Sequence, residues 1–136
     1  MWPFTTSEKV TLVFPIVLHE GIRIAYDPKE KYWEYIFHDI NFVYHGNEFD
    51  LRIMQLNQQI LDTIKGLKTE IYQTIKTHLE GWVQWDGEPH IVCITVENCL
   101  QDGKIDISYC GDESWGDLGV NIVIREGKIV DSYSGD

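Results

Sequence analysis

The spacing of apolar residues changes twice along the chain. In the first part apolar and polar residues alternate, as they do in half-buried β-strands. From about 56 to 80 the apolar residues recur every three or four positions, which is typical of one face of an α-helix. After residue 80, apolar and polar residues alternate again in several segments up to the end of the chain. The helical stripe consists of Ile60, Ile64, Leu67, Ile71, Ile75 and Leu79.

The alternating segments predict the strands. We expect them over 10–18, 21–26, 32–37, 90–97 and 104–109. Residues 27–30 predict a turn, because Pro28 fixes one dihedral angle and Asp27 can hydrogen-bond its own backbone. The chain closes with a predicted hairpin, in which strands over 120–124 and 129–133 flank the turn 125–128.

A further hairpin is predicted over 40–53. His45, Gly46 and Asn47 tolerate positive φ and would form its turn. Residues 48–53 then alternate polar and apolar without interruption. Phe49 and Ile53 would also align on a helix, but the unbroken alternation favours a strand.

The order of the elements predicts the fold class. Strands come first, one long helix follows, and more strands complete the chain, which is typical of an α+β fold. We therefore expect a mostly antiparallel β-sheet with one long helix, about 56–80, packed on one face. Gly81 follows the last helical turn and suits a left-handed cap. The 136 residues fit a single domain, 1–136.

Negative charge is concentrated in the last part of the chain. The formal net charge is −11, and residues 80–136 contain twelve Asp and Glu but three Lys and Arg. Such a field repels nucleic-acid phosphates and anionic membranes, and it speeds encounter with basic proteins. We therefore expect a basic protein partner, no nucleic acid and no membrane. An acidic surface that serves only solubility is the alternative.

Cysteine usage and hydropathy indicate the compartment. Cys93, Cys99 and Cys110 form an odd set without close pairing, unlike the disulfide framework of a small secreted domain. The apolar run 10–18 is too short for a membrane helix and contains Pro15. These features predict free thiols and a cytoplasmic location.

Metal and catalytic motifs are not found in the sequence. The five histidines lack the spacing of a zinc site. A calcium loop starting at Asp112 would need Gly and Glu where Asp117 and Val123 stand. We therefore expect no metal, no cofactor and no catalytic residues. A small hydrolase that uses paired carboxylates or Cys110 remains an alternative, as does an accessory ligand-binding domain of unknown role.

Acidic residues alternate with large aromatic residues between about 82 and 117. An exposed aromatic ring surrounded by carboxylates suits a basic protein, since the ring anchors and the acids pair with Lys and Arg. The opposing interpretation places the Trp side chains in the core. The predicted partner-binding residues are Trp85, Asp86, Glu88, Asp102, Asp106, Tyr109, Asp112, Glu113, Trp115 and Asp117.

The segment 115–124 followed by 127–131 (WGDLGVNIVI, then GKIVD) resembles the closing hairpin of small bacterial domains. In size, acidity and element order the chain is similar to the immunity proteins of bacterial toxin–immunity systems, such as those of contact-dependent growth inhibition. The resemblance covers the last fifth of the chain at motif level and the rest in outline. It implies a cytoplasmic, non-enzymatic inhibitor that binds one toxin domain, often a basic nuclease.

Overall fold

The computed structural model describes residues 16–81 and 88–135. Eight strands and five short helices follow one another along these ranges. The strands are β1 (Ile16–His19), β2 (Ile22–Asp27), β3 (Tyr32–Phe37), β4 (Ile40–His45), β5 (His90–Thr95), β6 (Ile105–Cys110), β7 (Gly119–Arg125) and β8 (Lys128–Gly135). The helices are α1 (Asn57–Gly66), α2 (Lys68–Leu79), α3 (Cys99–Asp102) and the 3₁₀ helices Leu51–Gln55 and Glu113–Trp115.

All eight strands belong to one sheet, in which they lie in sequence order. Neighbouring strands are antiparallel except β4 and β5, which are parallel. That exception follows from the connection, since a parallel pair needs a crossover and α1 and α2 provide it. The predicted α+β fold with a mostly antiparallel sheet is confirmed.

The two faces of the sheet differ because side chains alternate along each strand. The helix face contains buried apolar residues such as Phe42, Ile94 and Ile107, against which the helices pack. One contact crosses from α2 to β8, where His78 Nε2 lies 2.8 Å from Ser132 Oγ. Among the described residues, no helix packs on the opposite face, which we call the helix-free face.

Aromatic rings fill the core beneath the first half of the sheet. Phe49 is fully buried and contacts Trp33, Tyr35 and Tyr44, with ring centroids 5.2–6.0 Å apart. The hydroxyl of Tyr35 donates to Asn57 Oδ1 over 2.7 Å, and both residues are buried. This bond satisfies two polar groups that burial would otherwise leave without partners.

The predicted long helix is two helices. The chain leaves helical geometry at Leu67 (φ −102°, ψ 12°), directly after Gly66, so α1 and α2 form separate segments. Gly lowers helix propensity by about 1 kcal/mol relative to Ala, which permits the break. Five of the six stripe residues are nevertheless buried, because both helices turn their apolar side to the sheet. Gly81 has the expected positive φ of 83°.

The predicted strand over 48–53 is wrong. β4 ends at His45, and Leu51–Gln55 is a 3₁₀ helix. Asp50, only 3% exposed, accepts the backbone N–H of Arg52 at 3.1 Å and pairs with its guanidinium. Such a local side-chain bond competes with strand pairing and starts a helical turn. The buried residues of the alternating pattern lie beneath the sheet rather than in it: Phe49, Leu51 and Ile53.

The remaining strand predictions hold within the described ranges. β2, β3, β5 and β6 lie within one or two residues of their predicted ranges, and the closing hairpin is confirmed, with Glu126 and Gly127 at positive φ in its turn. Asp27 Oδ1 accepts the backbone N–H groups of residues 29 and 30, as the predicted turn requires. Residues 10–15 of the first predicted strand lie outside the described residues.

Candidate partner-binding face

Three carboxylates lie in one line across the helix-free face. The strand register connects Glu34 on β3, through Val43 and Thr95, to Asp106 on β6, and then through Val123 to Asp131 on β8. We call Glu34, Asp106 and Asp131 the acidic row. With strands about 4.8 Å apart, neighbouring acids of the row lie about 14 Å and about 10 Å apart. No basic side chain occupies the positions between them: Val43, Thr95 and Val123.

Asp106 is the most firmly held member of the acidic row. Its Oδ1 accepts Asn121 Nδ2 over 2.9 Å, and its Oδ2 accepts the hydroxyl of Tyr133 over 2.7 Å. Asn121 Nδ2 also donates to Ser108 Oγ over 2.8 Å. These bonds join β6, β7 and β8 and fix the carboxylate, so a cation that binds it meets a preorganised acceptor.

Tyr133 is the exposed aromatic residue of this network. Its side chain is 48% exposed, although its hydroxyl is bound to Asp106. That hydrogen bond, followed by burial and the nearby Asp131, raises the pKa of Tyr133 to about 12. The hydroxyl therefore stays protonated at neutral pH and keeps donating to the carboxylate, while the ring is available to a partner.

A second group of polar residues lies beside the row, where β4 and β5 end. His45 Nδ1 lies 3.0 Å from Glu97 Oε1. Glu97 and Lys104 line a depression of about 140 Å³ together with Thr95 and Asp106. Opposite charges mix in this depression, since Glu97 and Lys104 both line it.

The exposed loop acids predicted as partner-binding residues lie elsewhere. Asp112, Glu113 and Asp117 are exposed in the loop between β6 and β7. Asp112 caps the short helix there, since its Oδ1 accepts the backbone N–H of Ser114 over 2.9 Å. This loop lies at the end of β6, whereas Asp106 lies near its beginning.

Two of the other predicted acids are already paired with cations. Asp102 Oδ2 lies 3.2 Å from Arg125 Nε, at the opposite end of β6 from the loop acids. Glu88 Oε1 lies 3.7 Å from Lys68 Nζ, and both side chains are exposed. Trp85 and Asp86 lie outside the described residues.

Two of the three aromatic residues predicted for the partner surface are in the core. Tyr109 and Trp115 are each 4% exposed, so neither can serve as an accessible anchor. Tyr109 lies on the helix face of β6, and burial raises the pKa of its hydroxyl well above the usual value. Trp115 is folded onto Gly111, whose missing side chain leaves room for the indole ring. Their burial corrects the prediction.

The predicted acidic and aromatic residues that the structure describes therefore do not form one patch. Of these eight residues, Asp106 alone belongs to the acidic row. Sequence reasoning missed its partners Glu34, Asn121, Asp131 and Tyr133. The signal was present in part, since Asp106 and Asn121 occupy polar positions between apolar neighbours, but the register that aligns them is not visible in the sequence.

The thiols bear on the hydrolase alternative. Cys93, Cys99 and Cys110 are free. Burial raises the pKa of Cys99 to about 12, which makes it a poor nucleophile. The register of β5 and β6 places His90 opposite Cys110, a feature that favours a Cys-based hydrolase. Within the described ranges, no three His, Cys, Asp or Glu side chains are grouped to hold a metal ion.

Comparison of the chain with models of protein families, with curated proteins and with solved structures gave no match. In the described part of the chain, none of the helices has the combination of length and apolar character needed to cross a bilayer.

Proposed function

We propose that this chain is a non-enzymatic inhibitor of immunity type, which binds a basic toxin domain in the cytoplasm through the helix-free face of its sheet. The observation that carries the proposal is the acidic row of Glu34, Asp106 and Asp131, aligned by the register of the strands. A nuclease partner supplies the matching chemistry, because the Lys and Arg that it uses for phosphate can pair with these carboxylates.

In this proposal the chain acts by binding alone and catalyses no reaction. Lys and Arg of the partner pair with the acidic row, and the exposed ring of Tyr133 provides the aromatic anchor. The sequence analysis expected that anchor among Trp85, Tyr109 and Trp115. Asp106 contributes most of the electrostatic binding, because Asn121 and Tyr133 hold its carboxylate in place before the partner arrives. Glu34 and Asp131 contribute less, as charges at the rim of an interface do.

The test uses the protein encoded by the neighbouring gene as the candidate toxin. We expect binding, measured by titration calorimetry, to weaken as NaCl increases, since salt screens charge pairs. Tyr133→Ala should weaken it about thirty-fold or more. Asp131→Asn and Glu34→Gln should each weaken it a few-fold.

A matched control separates the acidic row from the acidic loop. Asp117→Asn removes one exposed carboxylate from the β6–β7 loop and should leave affinity unchanged. Should Asp117→Asn weaken binding while Asp131→Asn does not, the partner docks on the loop and the proposed face is wrong. If the affinity changes neither with NaCl nor in Asp131→Asn and Glu34→Gln, binding through the charges of the acidic row is refuted.

Growth assays distinguish an inhibitor from a hydrolase. Co-expression of this chain should protect cells from the toxin, and Cys110→Ser should protect them equally well. Loss of protection in Cys110→Ser, with folding and binding intact, would indicate that the chain acts through its thiol and would overturn the non-enzymatic proposal.

A further inference from the structure

A cleft of about 440 Å³ opens on the helix face, between α1, α3 and the turn that joins β7 to β8. It lies on the opposite face of the sheet from the acidic row. Its apolar walls include Ile60 from α1, Leu100 from α3, Ile105 from β6 and Ile124 from β7. The volume exceeds that of a packing defect and falls within the range of small-molecule sites, about 300–1,000 Å³.

The polar groups of the cleft come from two places. Gln59 and Thr63 lie on α1, and the Thr63 hydroxyl already donates to the backbone oxygen of Gln59 over 2.9 Å. Glu126 contributes the charge, from the turn between β7 and β8. It is exposed and is the charged residue among those that line the cleft.

Two cations lie close to Glu126 in the closing hairpin, Arg125 and Lys128. Arg125 precedes Glu126, but its guanidinium lies 3.2 Å from Asp102. Lys128 lies opposite Arg125 in the strand register of the hairpin, and the neighbouring register pair is Ile124 with Ile129, whose side chains face the helices. Alternation therefore directs both cations away from the helix face.

The charge of the cleft selects the ligand. One carboxylate at an apolar site, on a chain of net charge −11, favours a cation and disfavours an anion. An alkyl body covers the isoleucine and leucine walls and gains the free energy of removing apolar surface from water. A ligand that meets both conditions is an amine with an aliphatic body.

We propose that this cleft binds a small aliphatic amine, with the alkyl chain against Ile60, Ile105 and Ile124 and the ammonium group paired with Glu126. The site is independent of the partner-binding face, so either proposal can fail without the other.

The test compares octylamine, octanol and octanoate, which share an alkyl chain and differ in the head group. Titrations are followed by the methyl NMR signals of isoleucine. Octylamine should shift the methyl signals of Ile105 and Ile124, while those of Ile71 and Ile75 on α2 stay unchanged. Octanol should bind a few-fold more weakly, because Glu126 is exposed and an exposed charge pair contributes little, and octanoate should bind more weakly still.

Two variants and one matched control complete the test. Thr63→Trp should fill the cleft and abolish binding. Thr74→Trp is the control, because Thr74 on α2 has similar partial exposure and a similar hydroxyl bond to the backbone four residues earlier, but does not line the cleft. Glu126→Gln should reduce the preference for octylamine over octanol to about one, since the charge pair is lost.

Several outcomes would overturn the proposal. One is that octylamine leaves the Ile105 and Ile124 signals unchanged. Another is that it binds Thr63→Trp as well as it binds Thr74→Trp, which places it elsewhere. A third is that octanoate binds as tightly as octylamine, because the carboxylate of Glu126 then does not distinguish a positive from a negative head group.

Discussion

Adding one methyl group at Gly111 should destabilise the protein strongly. A Cβ at this position would lie 2.1 Å from Trp115 Cε2 and 2.2 Å from Trp115 Nε1. Non-bonded heavy atoms do not approach each other so closely. In Gly111→Ala the indole ring must therefore move from its position. The ring is 4% exposed in the protein, and its displacement opens the core beneath the β6–β7 loop.

The size of the effect follows from the area that the ring buries. A Trp side chain removes about 150–250 Å² from water, worth about 4–6 kcal/mol at about 25 cal/mol per Å². Full expulsion sets that upper limit. The loop can move with the ring and keep part of the contact, so we expect Gly111→Ala to lower the free energy of unfolding by about 2–4 kcal/mol.

Guanidinium chloride unfolding measures the change, with tryptophan fluorescence as the signal. Gly66→Ala is the control, because a Cβ at Gly66 would meet nothing within 4 Å and the residue ends α1. There Ala should be neutral or stabilise by up to about 1 kcal/mol. A Gly111→Ala protein within about 0.5 kcal/mol of the original would refute the packing of Trp115 on Gly111.

Two further predictions concern titrating groups. The bond to Asp106 raises the pKa of Tyr133 to about 12, so the stability that it contributes is complete below the unfolded value of about 10 and is lost as pH rises through about 12. Burial also raises the pKa of Tyr35 and Tyr109, so unfolding at several alkaline pH values should show a smaller loss in Tyr133→Phe than in the original protein; equal curves would exclude the hydrogen bond. Burial raises the pKa of Cys99 to about 12, so at mildly alkaline pH a thiol reagent should modify Cys99 much more slowly than Cys93 and Cys110. Three equal rates would contradict its burial.

The sequence by itself determined the elements whose pattern is local. Alternation located β3 over 32–37, because side chains on a half-buried strand must alternate whatever they pack against. The apolar stripe over 56–80 predicted the helical region and its buried side for the same kind of reason. The break at Leu67 was not visible, since a single Gly is tolerated within a helix and the choice depends on how each segment fits the sheet.

Residues 48–53 show where the pattern fails. Their alternation fits a strand, but it also fits a buried 3₁₀ turn that carries Phe49, Leu51 and Ile53 into the core. The bond between Asp50 and the backbone of Arg52 decides between the two. Composition alone does not reveal which local bond wins.

The candidate site was decided by the tertiary structure. Glu34, Asp106 and Asp131 come from three distant segments, and the register of six successive strands brings them into one row. Trp115, which sequence proximity to Asp112 and Asp117 suggested as an exposed anchor, is buried because Gly111 leaves space for its ring. Charge and periodicity are properties of neighbouring residues, whereas a binding face is formed by strands that meet only in the folded sheet.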